Sequence, residues 1–463
     1  MDLTACTATE LGALLRERTA SAREVADAHL ARIEEVDGPH SFEGSPDAIN
    51  AWVRVYPERA RADATRADER LAAGGAPPLC GVPLGLKDLY AVAGHPLTAS
   101  SGVTDLAPDE DSVVAARLFA AGMVLLGHLH THEFAAGGGT DQVGNPWDLS
   151  RGPGGSSGGS GAALASRTTP AATGTDTAGS LRIPSALCGT STIKATRGLL
   201  PLRGILPLSH SHDHPGPMTR TLRDTALMLD AMLGAQPGPI AALADATPQL
   251  AGARLALSPR IGLVDVDPDV ADGFEDALSA LRRLGATIVE PPPPDTPLDV
   301  GQLFLEVVAT DMLSWHAPLL AEKRDDYRQS NRDILDFARD RAMTGIEYAD
   351  AQWQRLQATD AWTDWLAAER IDAIVEPTVP IVAPPRGHGY DAFFTDEAIA
   401  YISLTHTWDW TGMPAVSLPS GVGRRSGLPV SVSLIGAPGS EAALLERGIA
   451  LQDELGVPEP PAR

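Results

Sequence analysis

Lysine is nearly missing from this chain of 463 residues: of 36 basic residues only Lys87, Lys194 and Lys323 are lysine. Cysteine is as scarce, and Cys6, Cys80 and Cys188 are far apart with no C-x-x-C pair. That excludes a disulfide framework and a cysteine-built zinc site, and it suits a reducing compartment, the cytoplasm. No run approaches the roughly 18 apolar residues of a membrane span. The start, MDLTACTATELGALLRER, lacks the basic segment and apolar run of a secretory signal. Positive charge is also in deficit, 36 Lys+Arg against 60 Asp+Glu for a net charge of -24, so a nucleic-acid or anionic-membrane partner would oppose the global field. What remains is an ordinary globular composition, 43% hydrophobic and 21% charged, whose 45 glycines follow no collagen period.

Hydrophobic periodicity predicts two tandem helices over residues 8–36, with Ser21 capping the second, and a charged helix over 57–73 opened by Pro57. The stretch 81–94 reads as short β pieces broken by glycine, and 112–130 as helix, Gly122, then a buried strand. A strand–helix–strand unit follows from 254, closed by the stiff proline run 291–295. Residues 345–370 form a long helix whose Trp353, Trp362 and Trp365 read as core, while 371–380 and 412–421 are strand-like. This alternation describes an α/β chain of one domain, 1–463.

Residues 137–161 would pass for a flexible linker by composition, but Trp147, Asp148 and Arg151 lie inside and an apolar helix follows at once. Together with GTDTAGSLRIP (174–184), this segment can converge backbone N–H groups on an anion. Neither segment matches a P-loop or a dinucleotide fingerprint, so a small transient oxyanion fits better than a nucleotide. Three serines compete as nucleophile. GGSSG (154–158) has the nucleophile-elbow pattern without the strand that should precede it. Ser191 and Lys194 match S-x-x-K in a chain lacking K-T-G. Ser180 follows Thr177, Ala178 and Gly179, whose N–H groups could face the carbonyl it attacks. A base for it is Lys87, in the apolar GVPLGLKDLY, where desolvation would lower an amine towards neutrality; pairing with Asp88 is the competing role. His128, His130 and His132 beside Glu133, and His210, His212 and His214 around Asp213, have the alternate spacing a metal site could use, without H-E-x-x-H or a third anchor.

These segments in order, GVPLGLKD, EF, NPWDLSRGPGGSSGGSGAALAS, GTDTAGSLRIPSALCG, STIKATRG and HDHPGPMTRTLRDTALMLD, closely resemble the amidase signature family from residue 81 to about 230. The resemblance resumes weakly at TGMPAVSLPSG and GLPVSVSLIG. It implies a single large domain with a central mixed, twisted β-sheet covered by helices on both faces. Its parts would be a helical N-terminal part (1–74), a signature core (75–232) and a pocket-building, sheet-completing remainder (233–463). It implies a metal-independent serine amidohydrolase without cofactor, with Lys87, Ser156 and Ser180 as a Ser–cis-Ser–Lys triad. The N–H groups of Thr177, Ala178, Gly179 and Ser180 would form the oxyanion hole, with Ser157, Asp176 and Arg182 in support.

Two departures stand out. Ala178 replaces the family's usual glycine, which would cost about 1 kcal/mol if that position needs positive φ. His128, His130, Thr131 and His132 replace residues that are usually Lys, Thr or Asn. The implied partner is a small-molecule amide, with ester or carbamate cleavage (esterase or urethanase activity) open, no nucleic acid, no membrane, and a homodimer as one candidate assembly. The rival readings are the A-type glutaminase component of a tRNA-dependent amidotransferase, whose K-R-R-I-x-x-G-T stretch is missing here, a metal-dependent hydrolase using the histidine clusters, and a binding protein that keeps only the fold.

Overall fold

The computed structural model describes residues 1–104, 106–234, 238–387 and 401–460. Eleven strands form one sheet: β1 Trp52–Val55, β2 Pro83–Lys87, β3 Val124–Leu129, β4 Ala171–Asp176, β5 Ser191–Lys194, β6 His214–Thr219, β7 Arg254–Leu257, β8 Thr287–Val289, β9 Ala373–Pro377, β10 Ala415–Val422 and β11 Pro429–Ile435. Their spatial order is β1-β3-β2-β4-β6-β5-β10-β11-β9-β7-β8. β3, β2 and β4 are mutually parallel, as are β9, β7 and β8, and antiparallel pairs join these two groups through the middle. The sheet is therefore mixed. Every residue of β2 to β6, β9 and β11 is buried, so both faces are covered.

Local chemistry explains the flanking helices. Thr7 and Ser21 each accept from the N3 backbone while Glu10 and Glu24 reach back to the caps, two capping boxes that open Ala8–Arg16 and Ala22–Val36. Pro57 starts Pro57–Ala73, and Gly122, at φ +84°, turns the chain from helix Val113–Ala120 into β3. Each fully buried Leu, Val or Ile on the inward faces contributes about 1.5–3 kcal/mol.

The tryptophans of helix Gly345–Ala368 divide, against the expectation that all three are core. Trp362 and Trp365 are buried, and Trp362 packs edge-on against Trp408 at 5.1 Å, whereas Trp353 is 59% exposed. Nine residues separate Trp353 from Trp362, two and a half helical turns, which puts them on opposite faces.

Candidate active site

The site lies where the parallel strands β2 and β4 end. Gly85 pairs with Ala172, and the Lys87 N–H donates to Thr173 Oγ1 at 3.0 Å, which levels Lys87, the last residue of β2, with Gly174, two residues before β4 ends. Its side chain is wholly buried. Nζ donates to Ser156 Oγ (2.8 Å), Ser157 Oγ (2.9 Å) and Thr175 Oγ1 (2.8 Å). Asp88 turns elsewhere, accepting from Thr98 and Ser100, so the competing Lys87–Asp88 pair does not form. Burial pushes the Lys87 ammonium down to about 7, against the opposing charges of Asp213 and Asp176. Asp213 is pushed up to about 6 by its own burial, although it accepts from Thr177 Oγ1 (2.6 Å) and from the N–H groups of Leu208 and Ser209.

The glycine-serine segment is ordered by close packing. A Cβ at Gly155 would collide with the Gly139 carbonyl. The Gly155–Ser156 peptide is cis, and the Ser156 carbonyl accepts from His132 N–H (3.0 Å) and Thr140 Oγ1 (3.2 Å). Ser156 and Ser157 are thereby fixed under Lys87.

Past β4 the chain turns sharply around the Asp176 carboxylate. It accepts from Gly179 N–H (2.5 Å), from Leu181 N–H (3.3 Å), and twice from the Arg182 guanidinium (2.9 and 3.1 Å). Burial would raise this carboxyl, but Arg182 outweighs it and holds it well below the usual range. The left-handed φ in the loop, +130°, belongs to Gly179, so Ala178 carries none of the strain its substitution for glycine suggested. Because Gly179 N–H is held by Asp176, the N–H groups left without an intramolecular acceptor among the described residues are those of Thr177, Ala178 and Ser180.

Ser180, Thr177 and Ala178 line a narrow cavity of about 60 Å³ whose other walls are mostly apolar, including Phe304, Val308 and Met312 from helix Gly301–Lys323. No hydrogen bond joins Ser180 to Ser156 among the described residues. The structure thus brings Lys87, Ser156, Ser157 and Thr175 into direct contact, and places Ser180 on the cavity wall.

The amidase family model matches residues 40–445. The chain belongs to the amidase family. An amidase of Pseudomonas putida is 36% identical, covering 97% of this chain and 96% of its own. The A-type component of the glutamyl-tRNA(Gln) amidotransferase of Ralstonia nicotianae is 35% identical over 97% of this chain and 98% of its own. The structure of 6-aminohexanoate cyclic dimer hydrolase superposes with a TM-score of 0.86 at 27% identity, covering 100% of this chain and 99% of that one. This amidase is accordingly a serine amidohydrolase, an enzyme that cleaves the carbon–nitrogen bonds of small-molecule amides.

The remaining candidates have other occupations in the amidase fold. Ser191 and Lys194 sit three apart on β5, hence on opposite faces; Ser191 Oγ accepts from Gln452 and Lys194 Nζ donates to the Met413 carbonyl. His128 bonds the Tyr56 hydroxyl and the Tyr90 carbonyl, His130 meets Ser100 and Gln142, and His132 meets the Glu133 carbonyl. His212 stacks on Trp410, His214 meets Asp176 O, and His210 is exposed beside Asp311. Among the described residues no three of His, Cys, Asp and Glu converge as a metal site would need.

Sequence reading missed Thr175, Thr405 and Asp409, and took Asp213 for a candidate metal ligand where it instead accepts from Thr177 beside Lys87. Thr405 Oγ1 donates to the Ala178 carbonyl, and Arg182 donates to Thr405 O (3.1 Å) and Asp409 Oδ2 (2.6 Å). Thr175 lay inside a quoted motif and could have been found there. Thr405 and Asp409 lie more than 220 residues from the loop they brace, with no local signal beyond the polar residues of THTWDWTG.

Proposed function

We propose that the enzyme works through an acyl-enzyme on Ser180, with Lys87 as the base and Ser156 as the relay. Neutral Lys87 has two N–H donors and one lone pair, so with three hydroxyls around Nζ it gives two hydrogen bonds and receives one. Ser156 passes its proton to Nζ as it takes that of Ser180, whose oxygen attacks the carbonyl. The oxyanion is held by the free N–H groups of the loop, those of Thr177, Ala178 and Ser180, with Gly179 setting its shape. The proton returns to the departing amine, and water then releases the acid by the reverse path. Ser157 and Thr175 position the amine, and Asp176 and Arg182 hold the loop. The observation that carries this reading is a buried lysine surrounded by hydroxyls alone. The same apparatus would cleave esters and carbamates that fit the cavity.

The amidotransferase relatives favour one other reading, in which the chain serves a partner as one component of such a complex. Turnover separates the two. We expect the purified chain, alone or as a homodimer, to hydrolyse aryl anilides, carboxamides or carbamates, unchanged by EDTA. Activity that appears only with a second protein would overturn the stand-alone reading, and loss on chelation would favour a metal. Cys6, Cys80 and Cys188 are free thiols. They support placement in the reducing cytoplasm, and the acidic surface supports a protein that binds neither nucleic acid nor anionic membrane.

A further inference from the structure

The cavity beside Ser180 adjoins, at Leu305, Phe337 and Ile402, a wider outer chamber of about 600 Å³. The inner cavity is mostly apolar; the outer chamber sets charged side chains, Asp265, Asp299, Glu306, Arg260 and Arg341, among apolar walls. Its two arginines are engaged. Arg260 donates through all three guanidinium nitrogens to the carbonyls of Leu298, Ser403 and Leu404, and Arg341 lies 3.8 Å from Glu306. Asp265 and Asp299 have no ion pair with a lysine or arginine among the described residues.

His406 provides a second, independent observation. It lines the same chamber with its side chain only 5% exposed. Nδ1 lies 2.7 Å from the Ile402 carbonyl, which can only accept, so Nδ1 carries the proton and Nε2 of the neutral ring presents a lone pair. Nε2 is buried without a hydrogen-bond partner and faces Asp299 Oδ1 across 3.7 Å. Burial disfavours the imidazolium, although Asp299 opposes that shift. With the ring neutral, two acceptors face one another across 3.7 Å, too far apart for a direct bond; on protonation the ring pairs with Asp299, whose side chain is 76% exposed and whose carboxyl is held well below the usual range first by His406. A group with several N–H donors would satisfy both.

We propose that the outer chamber binds a primary ammonium at the far end of the substrate, between Asp299 and His406, with an apolar acyl spacer in the inner cavity. This rests on the Ser180 acyl-enzyme reading, because the chamber matters to catalysis only through the cavity that Ser180 lines. It names a substrate class, ω-aminoacyl amides, and the net charge of -24 would draw such cations inward.

The test uses p-nitroanilides of straight-chain ω-amino acids, four to eight carbons long, against anilides of the same length ending in methyl or hydroxyl. At the best length we expect kcat/KM roughly tenfold higher for the ammonium than for either neutral end, as charge-assisted hydrogen bonds exceed neutral ones. Asp299→Asn keeps an acceptor for the Gly301 N–H that Asp299 now caps at 2.8 Å, while removing the charge. It should bring that ratio close to one, chiefly through KM. A second measure needs no turnover: n-hexylammonium should protect Ser180 from a fluorophosphonate probe at roughly tenfold lower concentration than n-hexanol. Turnover without ammonium preference, equal preference for hydroxyl, a ratio that Asp299→Asn leaves unchanged, or protection no better than hexanol's would each overturn the inference alone. No turnover of any member together with an unlabelled Ser180 would overturn the Ser180 acyl-enzyme reading, and this inference with it.

Discussion

Lys87 and Lys194 are both sealed from water, yet their surroundings differ in kind. Burial lowers both ammonium groups, to about 7 and about 8. Around Lys87 Nζ are three hydroxyls, which can donate and accept, whereas Lys194 Nζ reaches the Met413 carbonyl at 2.8 Å. A carbonyl accepts and cannot pass a proton on. Desolvation alone therefore does not make a base. What distinguishes Lys87 is a relay of hydroxyls, while Lys194 belongs to the buried charge cluster of Asp176, Arg182 and Asp409 behind the loop.

The largest effect that could break this contrast is on turnover. Lys87→Met should lower kcat by about 10²- to 10⁴-fold, the range of general acid–base catalysis, and cost about 1–3 kcal/mol of stability, as buried hydroxyls lose their partner. Lys194→Met should keep activity within about tenfold and lose about 1–3 kcal/mol of stability, as a buried acceptor is left unsatisfied. Equal loss of kcat in both would erase the distinction.

Next in size is the cluster itself. Arg182→Met leaves Asp176 and Asp409 without their shared cation and should cost about 3–5 kcal/mol in urea unfolding. A change below about 1 kcal/mol would show that the loop does not lean on this network.

The interior also holds buried histidines whose imidazolium forms are suppressed by desolvation: His130 and His132 at about 3, His29 and His316 at about 4. Because these values lie below the ordinary 6.5, the unfolded chain binds more protons as pH falls. The stability these groups contribute is complete above about pH 6.5 and is lost below it, by up to about 1.4 kcal/mol per pH unit for each. Urea midpoints from pH 7.5 down to 4.5 would read this, and a flat profile would contradict neutral burial.

Thr175→Val removes one hydroxyl from Lys87. Turnover should fall about tenfold, a lost hydrogen bond to a charged group. In the native enzyme kcat/KM should rise with pH through about 7 as Lys87 loses its proton. With one fewer oxygen to stabilise the ammonium, this limb should move to lower pH in the variant. The smallest effect is expected from Ala178→Gly, within about twofold, since the positive φ belongs to Gly179.

How much of this was legible in the sequence follows the range of each interaction. The Ser21 cap, the Pro57 helix start and the Gly122 turn are local, and each is visible within four residues. The candidate residues Lys87, Ser156 and Ser180 were legible because three short motifs carry them in a recognisable order. Helix Gly301–Lys323, which walls the cavity, went unread: its residues are apolar on several sides and Pro318 lies within it, so no clear face stands out. Thr405 and Asp409 went unread because only folding brings helix His406–Thr411 against the 176–182 loop. Trp353 was misread because helical spacing fixes that side chains share a helix, and burial depends on which face meets the core.

The most direct test of the central claim, that Lys87 acts through Ser156 to activate Ser180, is fluorophosphonate labelling of the purified chain in EDTA, with the labelled peptide mapped by mass spectrometry. The account predicts a single adduct on Ser180 that disappears in Lys87→Met and persists in Lys194→Met. An adduct on Ser156, Ser157 or Ser191, or labelling of Ser180 that survives Lys87→Met, would contradict it.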